Sequence, residues 1–143
     1  MPATQPRPEQ LENLAKRAPD GPLYMLNLLK FKERAEYADG RETDLTGRQA
    51  YNLYSQGVIK LILALGGKPI YFGLCNALLI GDGDESPWDS VGVIEYPSIE
   101  AFQKMTSSAG YADVHVHRDA GLEHQVLINM LSIEQAMAAA GAS

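Results

Sequence analysis

His117 and Arg118 stand side by side, six residues after Tyr111. A histidine exchanges protons near neutral pH, and an arginine grips a carboxylate or enolate with a two-pronged guanidinium. Asn27 could supply the carbonyl partner, because it falls on one strand face with Leu23, Met25, Leu29 and Phe31. An amide among large apolar residues must find hydrogen bonds or costs roughly 1–3 kcal/mol. With His117 as the proton-transfer group, Arg118 as the anion clamp and Asn27 or a tyrosine as the carbonyl partner, the set fits cofactor-free proton transfer or oxygenation of a small carbonyl or aromatic compound. Tyr51, Tyr54, Tyr111 and Trp88 complete the lining as ligand-binding residues. The competing reading makes all of these structural: a surface histidine, Arg118 paired with Asp119 or Glu123, tyrosines in the core, and a protein that binds or assembles without catalysis.

Other chemistries lack their residues. His115 and His117 would share a metal on a strand, but lie about 200° apart on a helix. The flanking pattern reads as helix, and no Cys or carboxylate completes a ligand set, so no metal is expected. There is no glycine-rich phosphate loop after a strand, no Gly-x-Ser-x-Gly elbow and no zinc spacing. Gly81-Asp82-Gly83-Asp84 lacks the remaining ligands of a calcium loop and reads as a turn. No cofactor is implied.

The chain has 143 residues, with 45% apolar and 21% charged, a net charge of −6 and one cysteine, Cys75. Those values predict one domain over residues 1–143 that buries a core without disulfides. The acidic balance and the lack of a dense Lys/Arg run argue against nucleic acid and anionic membranes as partners. The apolar stretches are too short to span a bilayer, and residues 1–8 carry no apolar signal core. A single cysteine inside a strand makes the cytoplasm the default compartment.

The elements that must position the candidate residues are readable from period and punctuation. Residues 68–97 organise the rest, as two β-rich runs joined by turn-forming residues. The first run spans 68–80, and Trp88-Asp89 opens the second. Glycines at the centres of both runs, among them Gly92, leave room for a close neighbour or a ligand. A short helix covers 8–18 after a loose tail at 1–7, and a strand covers 23–32. The charged segment 33–45 reads as a loop, a lid or a dimer arm. The main helix covers 46–65, with Thr46 and Gln49 as a capping box and Gly66-Gly67 as its stop. Ser98 caps a helix that breaks at Ser107-Ser108 and restarts through 111–120. A strand covers 122–131, and Ser132 with Gln135 caps a last helix. Residues 23–131 form the predicted core of the domain. Its order is the ferredoxin-like β-α-β-β-α-β, an α+β fold with a four-stranded antiparallel sheet, helices on one face, and extra helices at both ends. The opposite face is too apolar to stay wet, so a second copy is expected to cover it.

Met25-Leu26-Asn27-Leu28-Leu29-Lys30-Phe31, Tyr51-x-x-Tyr54, Gly66-Gly67, Trp88-Asp89, Tyr96-Pro97-Ser98 with Phe102, and Tyr111 through His117-Arg118 follow in order. Together they resemble the bacterial domain-of-unknown-function family thirteen-thirty over about residues 23–130. The resemblance implies a dimeric α+β barrel, in which two ferredoxin-like units pair through their sheets, and it implies no established activity. The wider superfamily includes cofactor-independent monooxygenases, haem-degrading enzymes, isomerases and ligand-binding regulators. Some haem-degrading members use an Asn, a Trp and a His; Asn27, Trp88 and His117 match in type, but the separation of Trp88 from His117 is too long for that pattern. The segment after the first strand and the terminal helices depart from the family pattern.

Overall fold

The computed structural model describes residues 3–141. Its elements in order are α1 (Pro8–Arg17), β1 (Leu23–Phe31), α2 (Gly47–Ala64), β2 (Lys68–Leu74), β3 (Ser90–Tyr96), α3 (Ile99–Thr106), α4 (Ala109–Gly121), β4 (Leu122–Met130) and α5 (Ile133–Gly141). The strands form an antiparallel sheet in the order β2-β3-β1-β4. This is the ferredoxin-like arrangement, with helices added at both ends.

Register decides which side chains face the helices. Leu23, Met25 and Leu29 of β1 are buried against Tyr51, Tyr54, Val58 and Ile62 of α2. Asn27 has the same parity and therefore points to the same side. Opposite it in the ladder stand Gly92 of β3 and Leu127 of β4. The even residues Leu26 and Leu28 point to the other face, opposite Val93 with Ile128 and Val91 with Val126. Among the described residues no helix crosses that second face, and Tyr71 and Ile128 there are 62% and 44% exposed.

Local chemistry sets the helix ends. Thr46 Oγ1 accepts from Gln49 N–H, and Gln49 Oε1 accepts from Thr46 N–H, which completes the capping box. At the other end Gly66 adopts φ +83°, a left-handed turn that only glycine enters without strain. Its neighbour Gly67 then returns its N–H to Ile62 O. α2 and α4 pack together along their lengths. They meet closest where α2 begins and α4 ends, with Gly47 against the Gly121 backbone.

Three expectations need correction. The first run of the central hairpin ends at Leu74, not at residue 80. β3 begins at Ser90, and the last rung joins Cys75 N–H to Asp89 O. Beyond that rung no described strand offers partners, so Leu79 and Ile80 stand 92% and 89% exposed on an irregular excursion. Cys75 therefore lies just past the strand, half-buried. Secondly, Trp88 sits on that excursion rather than in β3, with its ring 4.9 Å from that of His124. Thirdly, the tail at 1–7 is docked where it is described: Ala3 O accepts from Gln125 N–H at the edge of β4. Residues 1 and 2 lie outside the described residues.

The segment 33–45 is also packed down. Ala35 and Tyr37 form a small core with Ala50 and Ala120, and Glu36 N–H bonds Ala120 O.

Candidate functional site

The helix face of the sheet does not close completely on the helices. A cavity of about 640 Å³ remains, floored by Asn27, Phe72 and Gly92 and roofed by α2, α3 and α4. Gly92 makes the floor deep, since a Cβ there would already press on the Phe72 ring at 3.3 Å. Most of the wall is apolar, from Met25, Leu29, Val58, Ile62, Phe102 and Met105. The volume falls in the range of small-molecule sites, about 300–1,000 Å³.

Two polar groups interrupt that wall. The first is a cluster of phenols. Tyr51 and Tyr54 come from α2, one turn apart, with rings 5.2 Å from each other. The Tyr54 and Tyr111 hydroxyls lie 3.2 Å apart and share a hydrogen bond. Tyr96, at the end of β3, adds a fourth phenol to the lining. Burial pushes the phenols of Tyr51, Tyr54 and Tyr96 well above their ordinary range, so they stay neutral and able to donate. The hydroxyls of Tyr51 and Tyr96 have no hydrogen-bond partner among the described residues. No buried side-chain nitrogen or oxygen described is left unsatisfied. These two oxygens therefore meet open cavity space rather than packed side chains.

The second group is a chain of hydrogen bonds from floor to rim. Gln125 Nε2 donates to Asn27 Oδ1 at 2.9 Å, and Gln125 Oε1 accepts from Arg118 Nη2. Arg118 Nη1 donates to Asp119 Oδ1 at 3.0 Å, and its contact with His115 Nε2 is 3.4 Å. His115 Nδ1 lies 3.2 Å from Asp119 Oδ2. A carboxylate only accepts, so Nδ1 carries the hydrogen and Nε2 is left as the basic nitrogen. Burial lowers the His115 pKa from its ordinary value, with a further push from Arg118 against the opposite pull of Asp119.

The cavity gathers Asn27, Tyr51, Tyr54, Tyr111 and Arg118 of the residues singled out in the sequence. It does not gather His117 or Trp88. His117 follows His115 by two residues on α4, so it points to another side of the helix. There its Nδ1 meets the Tyr37 hydroxyl at 2.7 Å. Sequence reasoning missed His115, Tyr96 and Gln125. The signal for His115 was present: with Tyr111 and Arg118 it forms an i, i+4, i+7 set on one helix face.

A family described as Domain of unknown function (DUF1330) matches residues 36–130. The chain belongs to this family. Among solved structures, the DUF1330 chain is similar to the methylated RPA0582 protein, at 36% identity and a TM-score of 0.83, covering 92% of this chain and 96% of that one. It is likewise similar to the RPA0582 protein of unknown function from Rhodopseudomonas palustris, at 32% identity and a TM-score of 0.82, covering 93% and 98% of the two chains. No curated protein matches it. Among the described residues no helix is long and apolar enough to cross a membrane.

Proposed function

We propose that this DUF1330 protein binds a small, largely apolar molecule in the cavity beneath α2 and α4. The observation that carries the reading is the pair of neutral phenols, Tyr51 and Tyr96, nearly buried yet without a protein partner. Their hydroxyls open onto the cavity, where they can donate to a ligand oxygen in place of water. The apolar walls suit an aromatic or aliphatic body. Within this reading Arg118, expected as an anion clamp, holds the ligand's polar end, Asn27 supports it through Gln125, and proton transfer falls to His115 instead of His117. Asp119 orients the His115 ring, and its Nε2, which faces Arg118 Nη1 at 3.4 Å, takes up a proton only when Arg118 turns to the ligand.

We further propose that the functional unit is a homodimer paired through the sheets, because the apolar second face has no helix over it among the described residues. The lone thiol of Cys75 suits a reducing compartment such as the cytoplasm.

The test is a thermal-shift screen with aromatic ketones, quinones, carboxylates and aliphatic carbonyls. A ligand at about 100 times its dissociation constant stabilises by roughly 2.7 kcal/mol, which moves the melting temperature by several degrees. A hit should be lost in Gly92→Val, which fills the floor. Absence of any shift across the library would overturn the binding reading. A hit whose turnover survives His115→Gln would remove the catalytic role and leave a binding protein.

A further inference from the structure

Arg118 is 8% exposed, and four acceptors surround its two terminal nitrogens. Three of them, on His115, Asp119 and Gln125, belong to α4 and β4. The fourth is the main-chain carbonyl of Thr4, from the segment 3–6 that precedes α1. Ala3 O ties that segment to Gln125 N–H at 3.0 Å, and Gln5 Nε2 ties it to Asp119 Oδ1 at 2.8 Å. Gln5 and Pro6 also line the cavity. A piece of the chain thus closes the Arg118 end of the site, and it places a neutral carbonyl oxygen on the guanidinium.

We propose that the Thr4 carbonyl holds the position a ligand's own carbonyl oxygen takes, so that the ligand is a neutral carbonyl compound with an apolar body and residues 3–6 release Arg118 as it enters. The inference rests on the small-molecule reading above and names the ligand class. Charge is the argument against a carboxylate. Asp119 already balances Arg118, and the phenols and His115 bring no positive charge. A second anion would sit beside the Asp119 carboxylate and meet like-charge repulsion there. Exchanging one neutral carbonyl for another leaves the charge as it was. The segment can yield because its hold is short: one ladder-type bond at the sheet edge, one exposed side-chain bond and the Arg118 contact itself.

The experiment compares 2-acetylnaphthalene with 2-naphthoate, nearly the same in shape, and with naphthalene as the ring alone. The full chain is titrated at pH 7 and followed by amide NMR. The ketone should bind about tenfold or more tighter than either control. Its binding should shift the Gln5 and Gln125 amides and speed hydrogen exchange at Gln125 N–H, whose bond to Ala3 is released. Gln5→Ala, with a weaker hold on the segment, should bind the ketone a few-fold tighter. Equal or tighter binding of 2-naphthoate would overturn the proposal, as would ketone binding that leaves Gln125 exchange unchanged. Equal binding of all three probes would overturn it while sparing the small-molecule reading. Failure of all three at millimolar concentration would count against both.

Discussion

At the scale of single residues, neighbouring polar groups in the cavity should behave in opposite ways. Tyr51 is 6% exposed and its hydroxyl has no partner among the described residues. Tyr51→Phe should therefore leave stability within about 0.5 kcal/mol, while weakening any ligand that uses the hydroxyl. Asn27→Ala differs, because it strands the Gln125 amide that donates to Asn27. That change should cost about 1–3 kcal/mol, read from urea unfolding. If Tyr51→Phe proved the more costly, the hydroxyl would have a structural role after all. Titration gives a second check. Burial lowers both His115 and His117 below their ordinary 6.5. The unfolded chain then binds more protons than the folded one between the folded value and 6.5, so stability falls as pH drops through that window. Melting temperature should decline from pH 7 toward 5, and His115→Gln should flatten the decline. An unchanged slope in both His115→Gln and His117→Gln would reject the shifts. The residue types at the site were legible in the chain, Asn27 and Arg118 most clearly. Which histidine turned inward was not, because one helix carries both and only packing against α2 chooses the face.

At the scale of elements, legibility followed the strength of the local rule. The capping box of Thr46 and Gln49 could be read directly, since both partners lie within one turn. Thr46→Ala should cost about 1 kcal/mol, seen as a shift in the urea midpoint without a change of slope. The end of β2 could not be read, because Asn76 to Ile80 continues an apolar pattern and the missing rung is a property of β3. The close approach of α2 to α4 was equally hidden. A Cβ at Gly121 would lie 2.3 Å from Gly47 O and 2.9 Å from Tyr51 N, both main-chain atoms. Neither can swing aside as a side chain would. Gly121→Ala should thus cost about 2–3 kcal/mol or more and disturb Tyr51, which begins the phenol cluster. A variant with native stability would mean that the two helices slide apart freely, and the cavity roof would then be soft.

At the scale of the whole molecule, the two faces of the sheet pose different problems. One face carries the core and the cavity. The other presents Leu26 and Leu28 between Val91, Val93, Val126 and Ile128, a contiguous apolar surface. A patch of this kind calls for a cover, and a second identical sheet is self-complementary about a two-fold axis. The native chain should then sediment at twice its 15.6 kDa at micromolar concentration. Val93→Glu places a charge at the centre of the face, on β3, at a half-buried residue that is not itself part of the cavity lining. Burying that carboxylate against a second sheet is costly, so the variant should sediment as a monomer or melt at lower temperature. Ligand binding separates the two roles of the sheet. The cavity is lined by one chain's residues, so a monomeric Val93→Glu that remains folded should still bind the ligand. Loss of binding together with the dimer would mean that the partner shapes the site through the β-strands. A native chain that sediments as a monomer would leave the apolar face needing a different cover, with the exposed Ile133 and Met137 of α5 as the next surface to examine.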